Sequence, residues 1–228
     1  SAAADVAAAH RLIAYVPADV ALWPRMTGAE VLDLLGRIGP GVDTAYRDEL
    51  VERFALDVST PAGTYSTGNR QKVALVAAFA TRAALLVLDE PTSGLDPLMD
   101  RQFRHAVTAA RDNGQAVFLS SHQLAEVEAV CDRVAILRAG KLVEVASVAA
   151  LRRLHRTEVT VTFAGPPPDL TGIDGITGVD TVHHDGAATV RFTLNGAPAA
   201  ALRAVADADV ATIAVREPSL EEIFLAYY

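Results

Sequence analysis

Two carboxylates in succession, Asp89 and Glu90, close the apolar run Leu85-Leu86-Val87-Leu88 and precede the turn Pro91-Thr92-Ser93-Gly94. Ligands of open α/β sheets gather at the carboxyl ends of strands, so this pair stands where chemistry is expected. A histidine, His122, follows the hydroxyls Ser120 and Ser121 at the end of a second apolar run that starts at Ala116. Upstream, Ser66-Thr67-Gly68-Asn69 opens a helical segment, Arg70 to Thr81. Small polar residues there satisfy the free N–H groups of the first turn, as ordinary caps. The same N–H groups, with the helix dipole behind them, also suit a phosphate. Taken alone, the acidic pair is read equally well as solvated surface, and His122 as an ordinary strand-end histidine.

The elements that must hold these residues alternate between strand and helix. Four apolar residues without polarity alternation, Leu85 to Leu88, predict a parallel strand covered on both faces. A strand over 12–16 precedes it, and Thr27 with Glu30 forms a capping box for a helix over 28–38. Val31, Leu34, Leu35 and Ile38 share one face of that helix. Gly39-Pro40-Gly41 ends it, and a second amphipathic helix spans 44–55. Asp96 caps a further helix with Pro97 at its first position and Gly114 at its end. A strand over 116–120, a helix over 123–131, a hairpin over 134–145 and a short basic helix from Val148 to His155 follow. This cadence predicts a parallel α/β sheet.

Beyond residue 156 the pattern changes. An alternating strand over 158–163 is followed by the stiff breaker Gly165-Pro166-Pro167-Pro168. Strands over 179–183 and 189–194 flank Asp185-Gly186, a strong hairpin signal. A helix over 197–206, a strand over 211–215 and a helix over 219–227 complete a small α+β unit. The expected boundaries are therefore 1–155 for an α/β domain, with a helical subdomain at about 27–82, and 156–228 for an accessory α+β domain.

Composition narrows the function classes. Hydrophobic residues make up 51% of the 228, enough for a real core. A net charge of −8 argues against a broad nucleic-acid surface, and no nucleic-acid partner is expected. The single cysteine, Cys131, excludes a disulfide framework and fits a reducing compartment. With Val127, Val130 and Val134 it reads as a buried thiol on a helix face. No apolar run approaches the roughly 18 to 20 residues of a membrane span.

The motifs together resemble those of ABC-type ATPases. Tyr65-Ser66-Thr67-Gly68-Asn69-Arg70-Gln71-Lys72 is similar to their signature sequence, in the variant form of bacterial exporter ATPases. Leu85 to Glu90 resembles their Walker B strand, Ser93-Gly94-Leu95-Asp96 their D-loop, and Ser120-Ser121-His122 their H-loop. The tail Glu217 to Phe224 resembles that of single-domain drug- or antibiotic-exporter ATPases. The resemblance implies a P-loop NTPase-like fold, ATP and Mg²⁺ as nucleotide and metal, and a head-to-tail dimer with a second ABC ATPase subunit. It implies a transmembrane permease subunit as partner and a cytoplasmic place, peripheral on the inner face of the cell membrane. Asp89 is then expected to hold Mg²⁺, Glu90 to polarise the attacking water, and His122 to hydrogen-bond the γ-phosphate. Ser66, Thr67, Gly68 and Asn69 are expected to face the ATP held by the other subunit, with Asp96 across the same two-fold interface.

Two departures from the family pattern stand out. Where the Q-loop has proline then glutamine, this chain has Pro17, Ala18 and Asp19, so Asp19 or a water is expected to take the missing ligand's place at Mg²⁺. No G-x-x-x-x-G-K-[ST] occurs in the 228 residues. That loop cradles the β- and γ-phosphates. A sequence truncated before the Q-loop is the expected reason, with a natural remnant that serves a complete partner as the alternative. On either reading the chain alone is expected not to bind Mg-ATP with normal affinity. The leading expectation is the nucleotide-binding subunit of an ABC exporter; a soluble ABC-type ATPase and a non-catalytic interaction module stand as alternatives. The cargo is not written in motor motifs.

Overall fold

The computed structural model describes residues 8–39, 41–154, 157–184, 187–195, 197–206, 208–216 and 219–225. The Asp185-Gly186 turn, Pro40, His155, Glu217-Pro218 and the end of the last expected helix lie outside the described residues. The chain divides into two compact units, one up to Val130 and one from Cys131 onward. The expected boundary at 155 falls later than this division. Within the second unit, the helix over 148–154 packs on the second strand of the hairpin and on the last described helix.

In the first unit three parallel strands lie in sequence order, β1 (Ile13–Val16), β2 (Leu85–Asp89) and β3 (Ala116–Ser120). Their register sets Tyr15 beside Val87 and Val87 beside Phe118, and pairs Asp89 with Ser120. The helices α1 (Gly28–Ile38), α2 (Thr44–Arg53), α3 (Thr67–Ala80) and α4 (Pro97–Asp112) precede α5. The capping box of α1 forms as expected, with the Thr27 hydroxyl accepting from Glu30 N and the Glu30 carboxylate accepting from Thr27 N. α3 packs on α1, α2 and β1, and α4 on β3. Val31, Leu50, Phe54, Val73, Val76, Phe79, Leu86, Leu88 and Phe103 make one continuous core between these helices and one face of the sheet.

The expectation of a strand covered on both faces is corrected here. Leu86 and Leu88 are buried, but Leu85 and Val87 point to a face that the described helices leave open. Its neighbours Tyr15 and Phe118 are 58% and 64% exposed. Side chains of a strand alternate between faces, so covering one face buries only every second residue.

Helix α5 (Leu124–Val130) ends one residue before Cys131, which is half-buried in the following bend. The expected helix-face thiol is thus displaced: the chain leaves the helix for β4 (Arg133–Arg138), and Val134 is a strand residue. In the second unit β4 pairs antiparallel with β5 (Lys141–Ser147), followed by α6 (Val148–Leu154). A four-stranded antiparallel sheet runs in the order β7 (Ile176–His184), β8 (Ala187–Leu194), β6 (Thr157–Phe163), β9 (Val210–Arg216). α7 (Ala199–Val205) and α8 (Leu220–Leu225) accompany it. Val161, Phe163, Val190 and Phe192 form its core.

Candidate functional site

Strand β2 delivers its acidic pair to the end of the sheet, and β3 delivers the groups that receive it. Because Asp89 and Ser120 are register partners, the Ser120 hydroxyl donates to Asp89 Oδ1 at 2.5 Å. The same hydroxyl accepts from Glu90 N at 3.2 Å, and the Ser120 carbonyl accepts from it at 3.1 Å. Glu90 leaves the strand with φ at +45°, a left-handed conformation that a side chain bearing a Cβ adopts at a cost. That turn sends its carboxylate sideways to His122, whose Nδ1 lies 2.6 Å from Glu90 Oε2. The Glu90 side chain is 28% exposed and that of His122 is 74% exposed, so the imidazole meets the carboxylate on one side and solvent on the other. The arrangement offers a carboxylate base beside a proton-carrying ring, both open to a ligand in front of the sheet.

The signature residues stand at the start of α3. The Ser66 hydroxyl caps the helix, accepting from Asn69 N at 3.2 Å. Thr67 and Gly68 are the first helical residues. A Cβ on Gly68 would come within 2.4 Å of the Gly94 carbonyl oxygen, and Gly94 itself has φ at +76°. The two glycines therefore let the signature turn touch the loop that follows Glu90. Asp96 caps α4, its Oδ1 accepting from Leu98 N and Met99 N at 2.9 Å each.

The structure thus brings Asp89, Glu90 and His122 together, and sets Ser66, Thr67 and Gly68 beside the 93–96 loop. Asp19 is not joined to them. It is exposed in the turn after β1, and its carboxylate makes no hydrogen bond or ion pair among the described residues. No group of three His, Cys, Asp or Glu side chains that could hold a metal ion occurs among the described residues. Mg²⁺ takes one or two carboxylates and draws its other ligands from phosphate and water. Asp89, with one oxygen fixed by Ser120 and the other without a hydrogen bond among the described residues, fits one such ligand.

Three participants carried no role in the sequence. Ser120 fixes both Asp89 and Glu90 N, and the only signal for it was a hydroxyl at a strand end opposite a carboxylate. Ser121 donates from Oγ to Glu126 Oε2 at 2.6 Å and accepts from Gln123 N at 3.0 Å. Glu126 is only 6% exposed. Burial pushes its carboxyl above the ordinary glutamate range; the hydroxyls of Ser121 and Thr92 oppose this, while Asp100 and Glu90 add to it.

A family model described as "AAA domain, putative AbiEii toxin, Type IV TA system" matches residues 24–128. The chain is 39% identical over 130 residues to the uncharacterized ABC transporter ATP-binding protein YhcH of Bacillus subtilis (strain 168), covering 56% of this chain and 43% of that protein. It is 30% identical over 141 residues to the ABC transporter ATP-binding protein YtrB of the same organism, covering 61% of this chain and 48% of that protein. A solved "Structure of ATP binding subunit of ABC transporter" superposes with a TM-score of 0.61 at 30% identity, covering 67% of this chain and 65% of that one.

The chain is similar to the family of ABC transporter ATP-binding proteins. It spans about half the length of the curated bacterial relatives it matches. Its α/β fold is that of an ABC ATPase, and the family resemblance is that of nucleotide-binding ATPases. Subunits of this family generally dimerise and work with transmembrane subunits. No described helix is long and apolar enough to cross a membrane.

Proposed function

We propose that this ABC ATPase chain acts in the nucleotide-binding subunit of an exporter, coupling ATP hydrolysis to movement of a substrate through a separate membrane subunit. The observation that carries the reading is the 2.6 Å contact of His122 Nδ1 with Glu90 Oε2, beside an Asp89 held by Ser120. Cleavage of a γ-phosphate needs charge neutralisation, an aligned water and a base, with little covalent work for the protein. Glu90 accepts a hydrogen bond from the attacking water and draws its proton. His122 hydrogen-bonds the γ-phosphate from its exposed side and holds Glu90 in place from the other. Asp89 would hold Mg²⁺, directly or through water. Bound there, the ion would neutralise phosphate charge.

Ser66, Thr67, Gly68 and Asn69 present the N-terminus of α3 to a nucleotide held by the second subunit of a head-to-tail dimer. A capped helix start offers N–H donors to phosphate without a lysine. Asp96 stands across the same interface. The half-exposed Trp23, in the loop before Thr27, is the proposed contact for the membrane subunit, which sets the protein on the inner face of the membrane. Residues 1–155 serve as the motor domain and 156–228 as its accessory.

The test is Glu90→Gln in the assembled transporter. ATP binding is retained and turnover falls by about 10²–10⁴-fold, the usual worth of a placed base. Turnover within a factor of about three of the parent would remove Glu90 from this role.

A further inference from the structure

One buried titratable group is left over by this mechanism. Glu126 lies in the first turn of α5, and its Oε1 has no hydrogen-bond partner. Its Oε2 takes the Ser121 hydroxyl at 2.6 Å. Ser121 immediately precedes His122. The carboxyl is therefore tied to the residue next to the imidazole.

A carboxyl with an orphaned oxygen is an expensive way to fill this space. Burying a polar atom without a partner costs about 1–3 kcal/mol in proteins, and a leucine would carry no such cost. Only residues 121–123 separate β3 from α5, and they have no strand or helix ladder to fix them. The Ser121–Glu126 bond closes that short connection from within. His122 lies inside the closed segment, and its contact with Glu90 bridges 32 positions of sequence.

We propose that Glu126 is a positioning residue for His122: its buried carboxyl holds Ser121 and so closes the 121–123 connection, which presents the imidazole to Glu90. The proposal rests on the assignment of His122 and Glu90 as the reacting pair, and its first test is independent of ATP. In the 228-residue chain labelled at histidine, the His122 ring resonances are assigned by their loss in His122→Gln, and their shift on Glu90→Gln reports the contact. Glu126→Ala removes that Glu90-dependent shift, and Glu126→Gln, which still accepts from Ser121, restores it. A Glu90-dependent shift of full size in Glu126→Ala overturns the proposal. Should Glu126→Ala fail to fold by circular dichroism, Ser121→Ala cuts the same bond from its half-buried end and must abolish the same shift; a full-size shift there overturns the proposal equally. In the assembled transporter, Glu126→Ala lowers kcat about tenfold with KM for ATP little changed, and Glu126→Gln recovers it. A transporter inactive in every form would refute the catalytic reading and leave the resonance test to decide the clamp.

Discussion

The signature turn and the carboxylate end of β2 touch through Gly68 and Gly94, yet they are built in opposite ways. The signature is local: Ser66 caps Asn69 N three residues on, and the first turn of α3 supplies its own donors. The carboxylate end is assembled across the sheet. Asp89 is fixed from 31 positions away by Ser120, and Glu90 from 32 positions away by His122. The first can be made by any short capped helix, whereas the second exists only when two strands pair in one register. The N–H groups proposed to face phosphate need only a helix end, whereas the proposed base, its partner and the proposed metal ligand need tertiary structure to converge.

Breaking the long-range half gives the largest effect. His122→Ala in the assembled transporter lowers kcat by about 10²-fold or more, the cost of losing one placed hydrogen-bond donor at a charged transition state. Steady-state phosphate release measures it, and a change confined to KM would contradict the assignment. Next comes the seam between the halves. Gly68→Ala drives a Cβ into the Gly94 carbonyl and costs about 1–3 kcal/mol, the range for overpacking a fixed contact. Urea midpoints at constant slope would show it. The local half is cheaper to damage. Ser66→Ala removes the α3 cap for about 1 kcal/mol, and Ser66→Asn recovers most of the loss in the same assay.

The smallest effect sharpens the contrast through pH. The folded-state carboxyl of Glu126 titrates above its unfolded value, so its contribution to stability is complete in acid and declines as pH rises through the raised folded value. Glu126→Gln does not titrate. Its stability relative to the parent should therefore increase between about pH 4 and pH 7, and the gap should close in acid. Paired denaturation curves at the two ends of that range measure the sign. A parent curve that steepens upward with pH relative to Glu126→Gln would reverse it.

The same division explains what was legible in the sequence. Ser66, Asp96 and the Thr27–Glu30 box are local devices, and all three form as their spacing predicts. The apolar runs ending at Asp89 and Ser120 marked the strand ends. Ser120 and Glu126 carried no readable role, because pairing register and burial decide what a hydroxyl or a carboxyl does. The expected two-sided burial of Leu85–Leu88 failed for a related reason. An unbroken apolar run reports that both faces can tolerate cover, while the helices that reach the sheet decide which face receives it. Asp19, expected, with a water as the alternative, to stand in for the missing glutamine, lies exposed in the bend after β1.

The left-handed backbone of Glu90 carries one more consequence. A glycine at that position would adopt φ near +45° without the Cβ clash and would relieve about 1 kcal/mol of local strain. A library selected for thermal resistance alone would therefore favour the variant that discards the carboxylate proposed as the base. Durability and turnover pull this one position in opposite directions, so any search for a hardier form of the protein must screen for work done as well as heat survived.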